Sequence, residues 1–211
     1  MTDATKTLLK AIKNFNTEGL SELLFDNKSE VACNQRLCAA INKETSNYLA
    51  RVEYTDDINN LVNQADLVMI DNKTEEIVLC VEAKSLYATN IIRLTRGEEK
   101  EGYNNTFKQV KDRDFIKNNI TDDKKLAIMW VSGWDNFLEN PKPSFRENYH
   151  EDFRRRIKKK GKFTKEEVQE KLIQVFEDKL DLIVIDQVTI EDESDHYGYK
   201  AYLIATIVKL K

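Results

Sequence analysis

Proline and glycine are scarce in this 211-residue chain, at two and six residues. Flexible linkers and low-complexity tails draw on both, so neither is expected, and no internal repeat is found. Long apolar runs are missing too. Stretches such as Ile77–Val81 fall far short of a bilayer span, so no membrane partner is expected. Near the N-terminus Leu8, Leu9, Ile12 and Phe15 recur at helical spacing, with lysines between them and no cleavage site. That pattern reads as a surface helix and not as a signal peptide.

Cys33, Cys38 and Cys80 form an odd set without a C-x-x-C pair. Buried free thiols in a reducing cytoplasm are expected, and a zinc site is not. His150 and His196 have no partners at ligand spacing and read as surface residues, which disfavours histidine-ligated metal chemistry. A positive excess is also lacking: the net charge is −4 and the isoelectric point about 5.4. That counts against a protein that coats any nucleic acid through its overall field, and leaves room for a local basic groove.

What is present, 41% hydrophobic and 33% charged residues, fits one globular domain spanning 1–211 with a substantial interior. Residues 5–25 read as one or two short helices broken near Asn16–Gly19. Ser29 is a good N-cap for a helix to about Asn42, whose inner stripe begins with a carboxylate: Glu30, Asn34, Leu37, Ile41. Strands are expected at about 50–55, 64–70 and 76–84, the last two forming an antiparallel hairpin around a polar turn at Asn72–Glu75. A helix over 103–118 and a strand over 125–131 follow. The rest, 132–211, reads as a loop to 144, a helix over 145–159, and a helix over 164–179 opened by a Thr164/Glu167 capping box. Strands over 181–190 and 199–209, joined by an acidic turn at 191–198, close the chain and extend the same sheet.

Acid-x-Lys triplets are cheap in so charged a chain; Asp26/Lys28, Asp71/Lys73, Glu98/Lys100, Asp122/Lys124 and Glu177/Lys179 all qualify. Glu82/Lys84 differs by standing at the exit of an apolar strand, where ionised groups are costly unless paired or bound to metal. Alternation puts both on one face. A turn centred on Thr74 would set Asp66 directly opposite Glu82, with Cβ atoms roughly 5 Å apart. Two carboxylates so close repel unless a cation sits between them, and a hard ion such as Mg²⁺ suits oxygen donors. The competing reading is an ion-pair network at a sheet end, and a slip of one residue would separate the two acids.

From Glu30 to Val131 the chain resembles the PD-(D/E)XK nuclease superfamily, the restriction-endonuclease-like fold. The resemblance rests on Glu30 in SEVACNQRL, Asp66 in QADLVMID, and Glu82 and Lys84 in LCVEAKS, in that order. The proline that names the family is Ala65 here. The resemblance implies an α/β fold with an αβββαβ core over about 28–131, its central mixed sheet flanked by helices. A C-terminal helix and β-hairpin elaboration over about 132–211 would supply specificity or a dimer surface. It further implies Asp66, Glu82 and the Ala83 carbonyl as ligands of Mg²⁺, with Mn²⁺ able to substitute. Lys84 would activate water, and Glu30 would touch the ion's water or a second ion. Gln109 in FKQVKDRDF would be the glutamine that some branches carry after the lysine strand, unless it is simply a solvated helix residue.

Basic residues are candidates for phosphate contacts. Arg154, Arg155, Arg156, Lys158, Lys159 and Lys160 belong to RRRIKKKGK; Arg93 and Arg96 lie in RLTRGEEKEGY, read as a loop overhanging the site. The plainer alternatives are a solvated helix end and a charged loop. Trp134 is either a base-stacking residue or a loop anchor, and Trp130 reads as core. The expectation is a cytoplasmic, Mg²⁺-dependent DNA endonuclease of restriction type, a homodimer if both strands are cut. The alternatives are a structure-selective repair nuclease or junction resolvase, or a non-cleaving nucleic-acid-binding module.

Overall fold

The computed structural model describes residues 1–25, 29–54, 65–95, 106, 121–135, 164–196 and 199–210. Its centre is a six-stranded mixed sheet in the order β1-β2-β3-β4-β6-β5. The strands are β1 (Tyr48–Tyr54), β2 (Ala65–Asp71), β3 (Ile77–Tyr87), β4 (Lys125–Asp135), β5 (Ile183–His196) and β6 (Tyr199–Lys209). β3 and β4 run parallel; every other neighbouring pair is antiparallel. The chain is therefore α/β, with helices on both faces of a mixed sheet.

Period-two alternation divides the sheet residues between two cores. On one face Leu67, Met69, Leu79, Val81, Ile128 and Trp130 pack against α1 (Asp3–Lys13), α2 (Leu20–Phe25) and α3 (Ser29–Glu44). On the other, Val68, Cys80, Met129, Val131 and Ile204 meet α4 (Ala88–Thr95) and α5 (Lys165–Gln174). Local signals start the helices. Thr2 accepts a hydrogen bond from the Thr5 N–H at 3.2 Å to cap α1, and the Thr164/Glu167 capping box opens α5. The last turn, Val175–Lys179, widens into a π-helix. Among the described residues no helix is long and apolar enough to cross a membrane.

Several elements depart from the sequence reading. The stretch after β3 is not a loop through Arg93 but the helix α4, since Ala88, Ile91 and Leu94 recur at helical spacing and bury against the sheet. β4 runs on through Asp135, where a loop was expected from Ser132, because β6 pairs with it as far as Lys200. The acidic stretch after Ile190 is strand, not turn, and β5 reaches His196. α3 begins at Ser29 itself. The expected helix over 103–118, apart from Thr106, which is helical, the expected helix over 145–159, and Pro141, Pro143 and His150 lie outside the described residues.

The hairpin reaches the expected register by another route. Next to the turn Ile70 pairs with Ile77; farther on, Met69 pairs with Leu79, Val68 with Cys80 and Leu67 with Val81. Val78 is thus an extra residue, a bulge in β3. Asp71 builds the turn by accepting the N–H groups of Lys73 and Thr74 at 2.8 and 3.1 Å. Continuing the register by one residue sets Asp66 opposite Glu82.

Candidate functional site

Glu82 and Lys84 lie on β3 and Asp66 on β2, all on the α4/α5 face of the sheet by alternation with Val68, Cys80 and Leu86. Glu30 comes from the helical layer of the opposite face, in the first turn of α3. The four meet at the Lys84 ammonium. Nζ is 2.7 Å from Glu82 Oε1, 3.5 Å from Asp66 Oδ2 and 3.6 Å from Glu30 Oε1. It also donates to the Ala83 carbonyl at 2.5 Å. Asp66 Oδ2 in turn accepts the Ala83 N–H at 2.7 Å, tying the two strands together beside the acids.

The cluster is graded from closed to open. Side-chain exposure rises from 1% at Glu82 and 11% at Lys84 to 21% at Asp66 and 30% at Glu30. A ligand therefore approaches past Glu30 and Asp66, while Glu82 holds the floor. Burial pushes the Glu30 carboxyl above its usual range, helped by the charges of Asp66 and Glu82, against the pull of Lys84 and the Ser85 N–H. For Lys84 burial works against the charged form. Its hydrogen bond to Glu82 and the charges of Glu30 and Asp66 outweigh it and hold the ammonium above the usual lysine value. Three carboxylates against one ammonium leave an excess of negative charge.

Glu30 is aimed from below. One turn along the same helix face, Asn34 is buried, and its Oδ1 accepts the indole N–H of fully buried Trp130 at 3.0 Å. Near its C-terminal end α3 is held again: Asn42 Oδ1 accepts the Ala50 N–H at 2.7 Å, and its Nδ2 donates to the Ala50 carbonyl at 3.2 Å. Asn34→Ala would leave the Trp130 indole buried without this acceptor and should cost about 1–3 kcal/mol in urea unfolding. Pairing Asn34→Leu with Trp130→Phe should recover most of that loss. Equal stability of Asn34→Ala and parent would show that the bond contributes nothing.

The structure thus brings together Glu30, Asp66, Glu82, Lys84 and the backbone of Ala83. Gln109, Arg96, Arg154, Arg155, Arg156, Lys158, Lys159 and Lys160 lie outside the described residues, as do the side chains of Arg93 and Trp134. One acidic residue the sequence did not single out is Glu53. The pairs Val52/Leu67 and Tyr54/Ala65 bracket it, so it stands across β1 from Asp66, exposed and at φ +50°. Such a backbone costs about 1 kcal/mol or more in a non-glycine residue. Burial pushes the Cys33 and Cys80 thiols each up to about 12, which disfavours their thiolates.

The donors around Lys84 are all oxygen, the kind a hard divalent cation takes. Among the described residues no three His, Cys, Asp or Glu side chains form a preassembled metal-ligand group. The carboxylates converge on the ammonium instead. No family model matches the chain, and no curated protein or solved structure matches it either.

Proposed function

We propose that this chain is a Mg²⁺-dependent nuclease that hydrolyses phosphodiester bonds in DNA, a restriction-type endonuclease of the restriction-endonuclease-like fold. The observation that carries the reading is the convergence of Glu30, Asp66 and Glu82, from three different elements, on one largely buried lysine ammonium. Among the described residues the order α3-β1-β2-β3-α4-β4 supports it, as does the parallel pairing of β3 with β4. Asp66, Glu82 and the Ala83 carbonyl would hold the ion, Mg²⁺ or Mn²⁺. Bound there, it would supply Lewis acidity toward a phosphoryl oxygen.

The chain's own groups do the rest. Lys84 orients the attacking water and stabilises negative charge building on the phosphate. Glu30, the most open of the acids, accepts a hydrogen bond from that water and holds it on the approach side. Asp66 is itself fixed by the Ala83 N–H, so its free oxygen keeps a set direction. The basic residues Arg93, Arg96 and 154–160 would hold phosphates along the strand.

A non-cleaving nucleic-acid-binding module is favoured by one fact: Lys84 is already satisfied by its carboxylates. Supercoiled plasmid and short duplexes, incubated with Mg²⁺, Mn²⁺ or EDTA, decide between the two. Nicked or linear products with either metal and none in EDTA are expected. Retarded duplexes without any product would support the binding module and overturn the nuclease.

A further inference from the structure

Lys84 makes contacts that a residue waiting only for substrate does not need. Its two shortest, to the Ala83 carbonyl at 2.5 Å and Glu82 Oε1 at 2.7 Å, go to two of the groups assigned above to a divalent cation. A Mg²⁺ ion sits about 2.1 Å from its ligand oxygens. An ion on those groups, with the ammonium still one hydrogen bond from each, would set two positive charges side by side in a site where Glu82 is 1% exposed and screening is weak. We infer that Lys84 is the built-in counter-ion of this carboxylate cluster, and that it surrenders the Ala83 and Glu82 oxygens when a divalent cation binds. The inference rests on the proposed metal site.

The geometry gives the displaced group a destination. Lys84 has a flexible four-carbon stem. Its remaining partners, Asp66 and Glu30, are the more exposed members of the cluster. Release from the floor moves the ammonium toward them, onto the side from which a phosphodiester approaches. Charge supports the exchange: three carboxylates exceed one ammonium by two negative charges, the charge of one divalent ion. Lys84 thus keeps the acids from repelling one another in the metal-free protein, and turns toward substrate only when the site is loaded. Loading and positioning become one event.

The test is metal binding without nucleic acid. Calorimetric titration of Mg²⁺ into Lys84→Met, which keeps the stem and loses the charge, should give a Kd at least about tenfold tighter than the parent. Lys84→Arg, which stays charged, should bind no tighter than the parent. In EDTA, Lys84→Met should melt below the parent, and Mg²⁺ should raise its Tm by more than it raises the parent's. Equal or weaker binding by Lys84→Met overturns the counter-ion role and leaves the metal site standing. No binding by parent or variant at millimolar Mg²⁺ overturns both readings. Should Lys84→Met fail to fold, the unmodified protein still answers. Its buried Lys84 ammonium should give a protected ¹H–¹⁵N cross-peak in EDTA, absent from Lys84→Arg, that moves or broadens on adding Mg²⁺; an unmoved peak overturns the inference.

Discussion

Asp66→Asn should lose at least about a thousandfold in single-turnover cleavage with Mg²⁺, about 4 kcal/mol of transition-state stabilisation, while its Tm stays within a few degrees of the parent. The substitution is close to isosteric, and an amide oxygen can still accept the Ala83 N–H that Asp66 Oδ2 now holds at 2.7 Å. What disappears is one negative charge. Asp66 is 21% exposed at the mouth of the cluster, so losing it leaves Lys84 with Glu82 and Glu30 and does not strand a buried ion. Asp71→Asn is the matching control. Asp71/Lys73 is an acid-x-Lys triplet on the same hairpin, but Asp71 serves the turn through the Lys73 and Thr74 N–H groups, which asparagine also accepts. Cleavage by Asp71→Asn should match the parent. If Asp66→Asn cuts within tenfold of the parent, its carboxylate has no part in the chemistry, and the cluster is a structural ion-pair network.

The hairpin at this site was legible in the sequence because its two strands alternate cleanly around a polar turn. Its register was legible for a subtler reason. Val68, Cys80 and their neighbours must share a buried face, and that constraint acts on the strand, not on the turn. The one-residue offset beside Asp71 is therefore absorbed by the bulge at Val78, and Asp66 and Glu82 come into opposition regardless. Elements held by distant partners were not legible. α4 is short and carries Thr, Asn and two Ile, modest helix formers, so only the sheet surface beneath Ile91 and Leu94 makes it a helix. The acidic run after Ile190 has turn-like composition, yet β6 pairs with it at Glu191, Asp195 and His196, on either side of a register shift. Nothing local joins Asn34 to Trp130, 96 residues away, although that bond fixes the turn of α3 that carries Glu30. Glu53 carries no local mark, because residues 50–55 have only the pattern of a generic strand. Only the pairs Val52/Leu67 and Tyr54/Ala65 place it across from Asp66.

Ser132 and Gly133 read as the start of a loop for the same reason, and Gly133 carries the second large effect. On β4 it lies directly opposite Tyr202 of β6, which is 2% exposed. A Cβ added to Gly133 would come within 2.6 Å of Tyr202 Cε2 and closer still to Cζ and the hydroxyl. The ring thus lies across the strand in the space a side chain would fill, and it is packed on its other sides by the α4/α5 core. Gly133→Ala should therefore cost about 2–3 kcal/mol as the buried ring is forced aside, lowering Tm by roughly 5–10 °C in a chain of this size. Tyr202→Leu alone should also destabilise, by leaving a cavity. Because the new methyl group and the lost ring compete for one volume, the double variant should be more stable than the two single losses predict, by about 1 kcal/mol or more. Strict additivity, or a Gly133→Ala protein that melts with the parent, would show that Tyr202 can leave without cost. The same variant separates fold from chemistry. In the parallel register Ala127 and Met129, not Gly133, flank Glu82 and Lys84. Below its melting point Gly133→Ala should cut at close to the parent's rate, whereas Asp66→Asn should melt like the parent and lose at least about a thousandfold in cleavage.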